Sequence, residues 1–239
     1  MTSRRHSPRA DQSRQRILQA AICEFSEHGL AGARTGSIAT SAGVNKALLY
    51  YYFRDKESLY AAALDEVAGK VAGDALAVLQ LNCSPGERML RFALQHFDRI
   101  LAQQGFQALM QQEMVRLREG HGSAMRIIAK RAFEPMFRRL QTIVQEGIRS
   151  GELCDVDDMQ MMYAALGANI FYFLSAPMMR LIAPSAPMAP AAVGSRRVAA
   201  LEFLGQAIFV DRRRGTRLAK AVLASTPMPE CSPPRGRTV

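Results

Sequence analysis

Apolar residues recur along this chain at intervals of three and four, and breakers cut the pattern into blocks of helix length. Ile17, Ala20, Ala21 and Phe25 form one stripe, and Met136, Leu140, Ile143, Val144 and Ile148 form another. This spacing lines one face of a helix. Glycine, proline and small polar residues interrupt it at 29–33, 43, 54–55, 82–86, 105, 120–123, 150–156 and 183–195. Sustained alternation of the kind that marks strands is absent. The pattern predicts an all-α fold, and 239 residues, 49% of them hydrophobic, suffice to bury a core.

One block is more specific. Thr35 precedes GSIATSAG, and its hydroxyl can cap a short helix over 36–42. Gly43 permits a tight turn, and NKALLYYYF begins a second helix within a few residues. Helix, glycine turn, helix is the layout of a helix-turn-helix. Projected at about 100° per residue, Leu49, Tyr52 and Phe53 fall on one side of the second helix and predict a core face. Lys46, Ala47, Tyr50 and Tyr51 fall on the other. Lysine and phenol groups can donate to phosphates or base edges and Ala47 permits close approach, so this strip suits a major groove.

The run GLAGARTGSIATSAGVNKALLYYYFRDKESLY, within residues 13–65, resembles the N-terminal domain of the TetR family of bacterial transcriptional regulators. The resemblance implies a three-helix DNA-binding head over 13–60, a linking fourth helix, and a helical domain over 61–225 that dimerises and binds a small effector. Carried over, the family's DNA contacts fall on Thr35, Asn45, Lys46, Ala47, Tyr50, Tyr51 and Tyr52, with Lys56 meeting a phosphate. The helical projection turns Tyr52 inward, so the two readings differ at that residue. Ala47 stands where the family often has glycine, and Arg34 where many members have Ser or Thr.

The net charge of +10 is concentrated at the ends. Residues 1–16 hold five arginines against Asp11, and 211–239 hold seven Lys/Arg against Asp211 and Glu230, leaving a nearly neutral body. Segments 1–12 and 226–239 lack apolar periodicity and read as disordered tails. A basic arm ahead of a DNA-binding helix can contact phosphates or a minor groove. No apolar run follows the basic N-terminus, which argues against a secretory signal. The dispersed Cys23, Cys83, Cys154 and Cys231 fit neither a zinc site nor a disulfide framework, so a cytoplasmic protein without metal or cofactor is expected.

Beyond residue 85 the sequence predicts about five helices. His96, Met110, Met114, Phe133, Phe137, Tyr163 and Asn169 are candidate lining for an effector pocket, because Met and aromatic side chains form adaptable apolar walls. Arg118 and His121 could neutralise an anionic ligand. Residues 159–179 contain no charge and as a helix could cross a bilayer. Gln160, Asn169, Ser175 and Pro177 make a poor span, so a helix at a dimer interface is the expected role. Ala164, Ala168, Tyr172 and Ser175 would face the partner, with Ile170 and Leu174 turned into the subunit's own core. No nucleophile with a base, paired acids or metal cluster can be assembled from His6, His28, His96 and His121, so no catalytic residue is assigned. The reading is a homodimeric, effector-released repressor of a palindromic operator. The alternative is a constitutive or activating DNA-binding protein without a ligand.

Overall fold

A computed structural model describes residues 8–182 and 186–229. Its elements are α1 (Pro8–Gly32), α2 (Thr35–Ser41), α3 (Lys46–Tyr52), α4 (Lys56–Leu79), α5 (Pro85–Ala102), α6 (Gln104–Arg118), α7 (Ser123–Ile128), a π-helical turn (Ala129–Phe133), α8 (Glu134–Arg149), α9 (Asp158–Ile182), α10 (Pro190–Ala207) and α11 (Arg212–Ser225). Among the described residues the only pairing of strand type is an isolated antiparallel bridge between Leu153 and Phe209. The all-α expectation holds. Of the expected N-terminal tail, residues 8–12 already belong to α1, since proline fits a first helical turn whose N–H groups have no intrahelical partner. Residues 1–7 and 230–239 lie outside the described residues.

The chain forms two compact units. One comprises the described residues up to Ala72 with Gln104–Glu134, the other Gly73–Gln103 with the residues from Pro135 onward. In the first, the α1 stripe of Ile17, Leu18, Ala21 and Phe25 packs with Ile38 and Ala42 of α2, Leu49 of α3, and Leu59 and Leu64 of α4. Leu109 of α6 and Met125 and Ile128 of α7 complete this core. Phe25 meets Tyr60 edge-on with ring centroids 4.9 Å apart. The Tyr60 hydroxyl donates to the buried Glu113 carboxylate at 2.8 Å, and Arg116 pairs with the same carboxylate at 3.0 Å. Burial, with the Glu113 bond, raises the Tyr60 pKa well above the usual phenol value, so the hydroxyl stays protonated and remains a donor.

In the second unit α5 packs against α9, α10 and α11. Ser84 caps α5 by accepting from the Glu87 N–H at 3.3 Å, and its hydroxyl donates to Glu152 at 2.7 Å. Glu152 also accepts from the Gly86 N–H at 3.0 Å and pairs with Arg214 at 2.9 Å, so a buried carboxylate ties the starts of α5 and α11 together. Arg197 of α10 grips Asp98 of α5 through two bonds of 2.7 and 2.8 Å and donates to the Thr226 carbonyl at 3.0 Å. The two-pronged geometry makes this buried pair a charge-assisted bond with fixed orientation.

α9 is long and apolar enough to span a membrane by length and composition, with only 22% of its most apolar window buried. Its sides differ from the expected assignment. Leu174, expected in the core, is 53% exposed, and Phe171 and Leu181 are 64% and 86% exposed. Tyr172, expected to face outward, is half-buried instead, its ring 6.2 Å from that of Phe97 and under the Arg196 guanidinium at 5.6 Å. Small residues alone do not define the outer face. Packing against α5 and α10 rotates the helix so that Asn169 and Ala165 point inward while Ala164 and Ala168 stay exposed.

Candidate nucleic-acid interface

Two short helices build this surface, and neither would be stable alone in water. α2 and α3 hold their places because Ile38, Ala39 and Leu49 are buried against α1. Gly43, at φ 64°, makes the turn between them in the left-handed region that L side chains rarely adopt. Arg34, not Thr35, occupies the cap position of α2 and makes no side-chain cap bond. Thr35 lies inside the helix, freeing its hydroxyl to bond the Tyr50 hydroxyl at 3.1 Å across the turn. The Arg34 N–H is taken up by Glu24 at 2.9 Å.

Asn45 caps α3, its side-chain oxygen accepting from the Leu48 N–H at 2.7 Å. Lys46, Ala47, Tyr50 and Tyr51 are exposed on this helix, with Tyr51 at 76%. Tyr52 is half-buried against the core and meets Tyr51 edge-on with centroids 5.3 Å apart. Leu49 and Phe53 are buried beneath. Replacing Leu49 by Ala is expected to lower stability by about 2–5 kcal/mol, read from the urea midpoint, because the cavity opens directly under both short helices.

Asp55 opens α4 with a reciprocal cap. Its carboxylate accepts from the Ser58 N–H at 2.7 Å while the Ser58 hydroxyl accepts from the Asp55 N–H at 3.1 Å. The Ser58 bonds hold the Asp55 carboxyl below its ordinary pKa. Lys56 donates to the Ala31 carbonyl at 3.1 Å, at the end of α1, where a cation complements the helix dipole. Arg54 lies between α3 and α4 with its side chain 93% exposed, in a loose ion pair with the neighbouring Asp55 carboxylate at 3.9 Å. Sequence reasoning left Arg54 and the exposed Arg34 out of the contact set. Their signal was present as cations flanking the two short helices, with no periodicity to weight them.

The pocket candidates scatter. Met110 and Phe133 are half-buried against the core of the first unit, and Met114 on α6 is 53% exposed. Phe137 on α8 is half-buried, and Tyr163 on α9 is 66% exposed. His96 and Asn169 are buried in the second unit, where Asn169 donates to the Ala93 carbonyl at 3.1 Å. Asn169 also lines a cavity of about 300 Å³ between α5, α9 and α10, whose walls include Phe97, Ala164, Ala168 and Phe203.

An exposed, basic and phenolic helix set on a helix–glycine–helix scaffold defines the class of helix-turn-helix regulators. The chain belongs to the TetR family of bacterial regulatory proteins, whose members are transcriptional regulators rather than enzymes. Residues 17–63 match the family's N-terminal model, and 85–204 match a tetracyclin repressor-like C-terminal domain. The chain is 38% identical over 82 residues to the HTH-type transcriptional repressor NicS of Pseudomonas putida, a match covering 34% of this chain and 38% of that one. In fold it is similar to a protein from Saccharomonospora viridis crystallised with choline, with a TM-score of 0.66, 18% identity, and coverage of 83% of this chain and 98% of that one. It is also similar to the regulator FadR of Bacillus subtilis in complex with stearoyl-CoA, with a TM-score of 0.61, 20% identity, and coverage of 80% and 96%.

Proposed function

We propose that this protein is a cytoplasmic, homodimeric transcriptional repressor that binds a palindromic operator and leaves it when a small effector binds. The observation that carries the reading is the strip of Lys46, Ala47, Tyr50 and Tyr51, held outward by burial of Leu49 and Phe53. Lys46 and the phenols supply donors for phosphates and base edges, and Ala47 lets the backbone approach them. Asn45 and Thr35 act by placing this strip, the first as the α3 cap and the second through its bond to Tyr50. In this reading Lys56, which spends one of its three ammonium donors on the Ala31 carbonyl, and the exposed Arg54 are both available to phosphate.

Two copies of α3 reading successive major grooves require a dimer. The exposed apolar side chains Phe171, Leu174, Met178 and Phe203, beside the trough floored by Ala164 and Ala168, supply a surface that a second copy would cover. A large apolar patch of this kind is costly to leave in water. The NicS likeness supports repression, and the choline and stearoyl-CoA complexes of fold relatives support effector binding by the C-terminal unit.

Lys46→Ala and Tyr50→Ala are each expected to weaken operator binding by about 1–3 kcal/mol while melting like the parent protein. Titration of a labelled operator duplex checks this, and parental affinity in both variants would refute the recognition-strip assignment. A protein whose operator affinity no small molecule changes would instead be a constitutive binder.

A further inference from the structure

Helix α5 has two faces of opposite character, one buried and one half-buried. One carries Leu90, Ala93, Leu94, Phe97 and Leu101, all buried. The other carries Arg88, Gln95, His96 and Arg99, spaced seven, one and three residues apart and so grouped along one side of the helix. Among the described residues, each of these four has a buried polar atom without a hydrogen-bond partner: Nε of Arg88, Oε1 of Gln95, Nδ1 of His96 and a terminal nitrogen of Arg99. Arg88 is otherwise engaged, donating to Glu146 at 2.9 Å, and Gln95 donates to the Asp74 carbonyl at 3.0 Å. His96 is only 8% exposed.

Native proteins carry few such atoms, because each buried polar group left unpaired costs free energy comparable to a lost hydrogen bond. A row of them on one helix face is a candidate place for a partner from outside the chain. The charge of Arg99 narrows what that can be. Burial lowers its pKa to about 10, with Asp74 partly offsetting the effect. Burial, assisted by the Arg99 charge, depresses His96 to about 3, so the imidazole is neutral near pH 7 and adds no second cation. With Arg88 engaged by Glu146, the Gln95, His96 and Arg99 part of the face presents one cation, one neutral imidazole nitrogen and one amide oxygen.

We propose that the Gln95, His96 and Arg99 face of α5 binds a small organic carboxylate. Arg99 holds the carboxylate through its planar fork, His96 donates to it from Nδ1, and the Gln95 oxygen accepts from a hydroxyl or amine elsewhere on the ligand. The proposal rests on the effector reading and gives that effector a chemical class.

The test is thermal melting of the full chain in sodium acetate, benzoate or octanoate against sodium chloride at equal ionic strength. At least one of the three carboxylates is expected to raise the melting temperature of the parent protein. Arg99→Met is expected to weaken that carboxylate's binding at least about tenfold, and in chloride to melt no lower than the parent, since it removes a half-buried cation that has a terminal nitrogen without a partner. Arg99→Lys keeps the charge but loses the fork, and should reduce the shift as well. Absence of any shift with all three salts, or an undiminished shift in Arg99→Met, would overturn the site. Operator titration separates the two readings. A carboxylate that binds through Arg99 yet leaves operator affinity unchanged keeps the site and removes the effector role.

Discussion

Ala168→Arg should turn the proposed dimer into a monomer that no longer holds its operator, although no residue of the proposed DNA-binding strip is touched. Ala168 is exposed on α9 and forms part of the trough floor between α9 and α10, where a second copy is proposed to settle. Arg196 already lies alongside, donating to the Ala168 carbonyl at 3.3 Å, and Arg197 also lines the trough. A new guanidinium would enter a closing apolar contact with like charges beside it. Desolvating such an unpaired charge costs several kcal/mol, which dissociation relieves. A single head then keeps about half of the contacts, so operator affinity should fall by two or more orders of magnitude. Sedimentation and operator titration on the same sample check both halves. A tight dimer in the variant would remove α9 from the interface.

The second large effect is expected at Gly215. There α10 and α11 cross with backbone against backbone, and a Cβ on Gly215 would overlap the Gly205 carbonyl oxygen and come within 2.8 Å of the Phe209 ring. A Cβ on Gly205 would in turn stand 2.7 Å from the Gly215 carbonyl oxygen. Neither neighbour is the end of a flexible side chain, so the helices would have to separate. Their separation would disturb Phe209 and the Glu152 to Arg214 link at the start of α11. Gly215→Ala should therefore cost about 3 kcal/mol or more, at the upper end of overpacking penalties, despite alanine's better helix propensity. Denaturant unfolding of the variant checks the sign, since a surface glycine in a helix would show the opposite change.

Much of this protein was legible in its sequence because the relevant signals are local. The apolar stripes of α1 and α8, the glycine turn at Gly43 and the alternation of Leu49 and Phe53 with Tyr50 and Tyr51 each lie within one or two helical turns. They determined the helical class, the helix-turn-helix and the outward strip on α3 without reference to distant residues. Even so, the cap of α2 went to Arg34 once Thr35 found Tyr50, a partner fifteen positions away.

Tertiary structure decided what depends on two helices meeting. The orientation of α9, nearly apolar all round, carries no periodic signal, so only its contact with α5 and α10 could bury Tyr172 and expose Leu174. The Arg197 to Asp98 clamp joins residues 99 positions apart, and Ser84 and Glu152 are 68 apart. Gly205 and Gly215 read as ordinary helix weakeners until their backbones touch. The sequence alone determined which helices form and which face of α3 points outward, because hydrogen bonding and burial along one helix are set by near neighbours. Which helices pair, and which buried polar atoms are left without partners, was decided by close packing between distant segments, where position to within an ångström governs the energy.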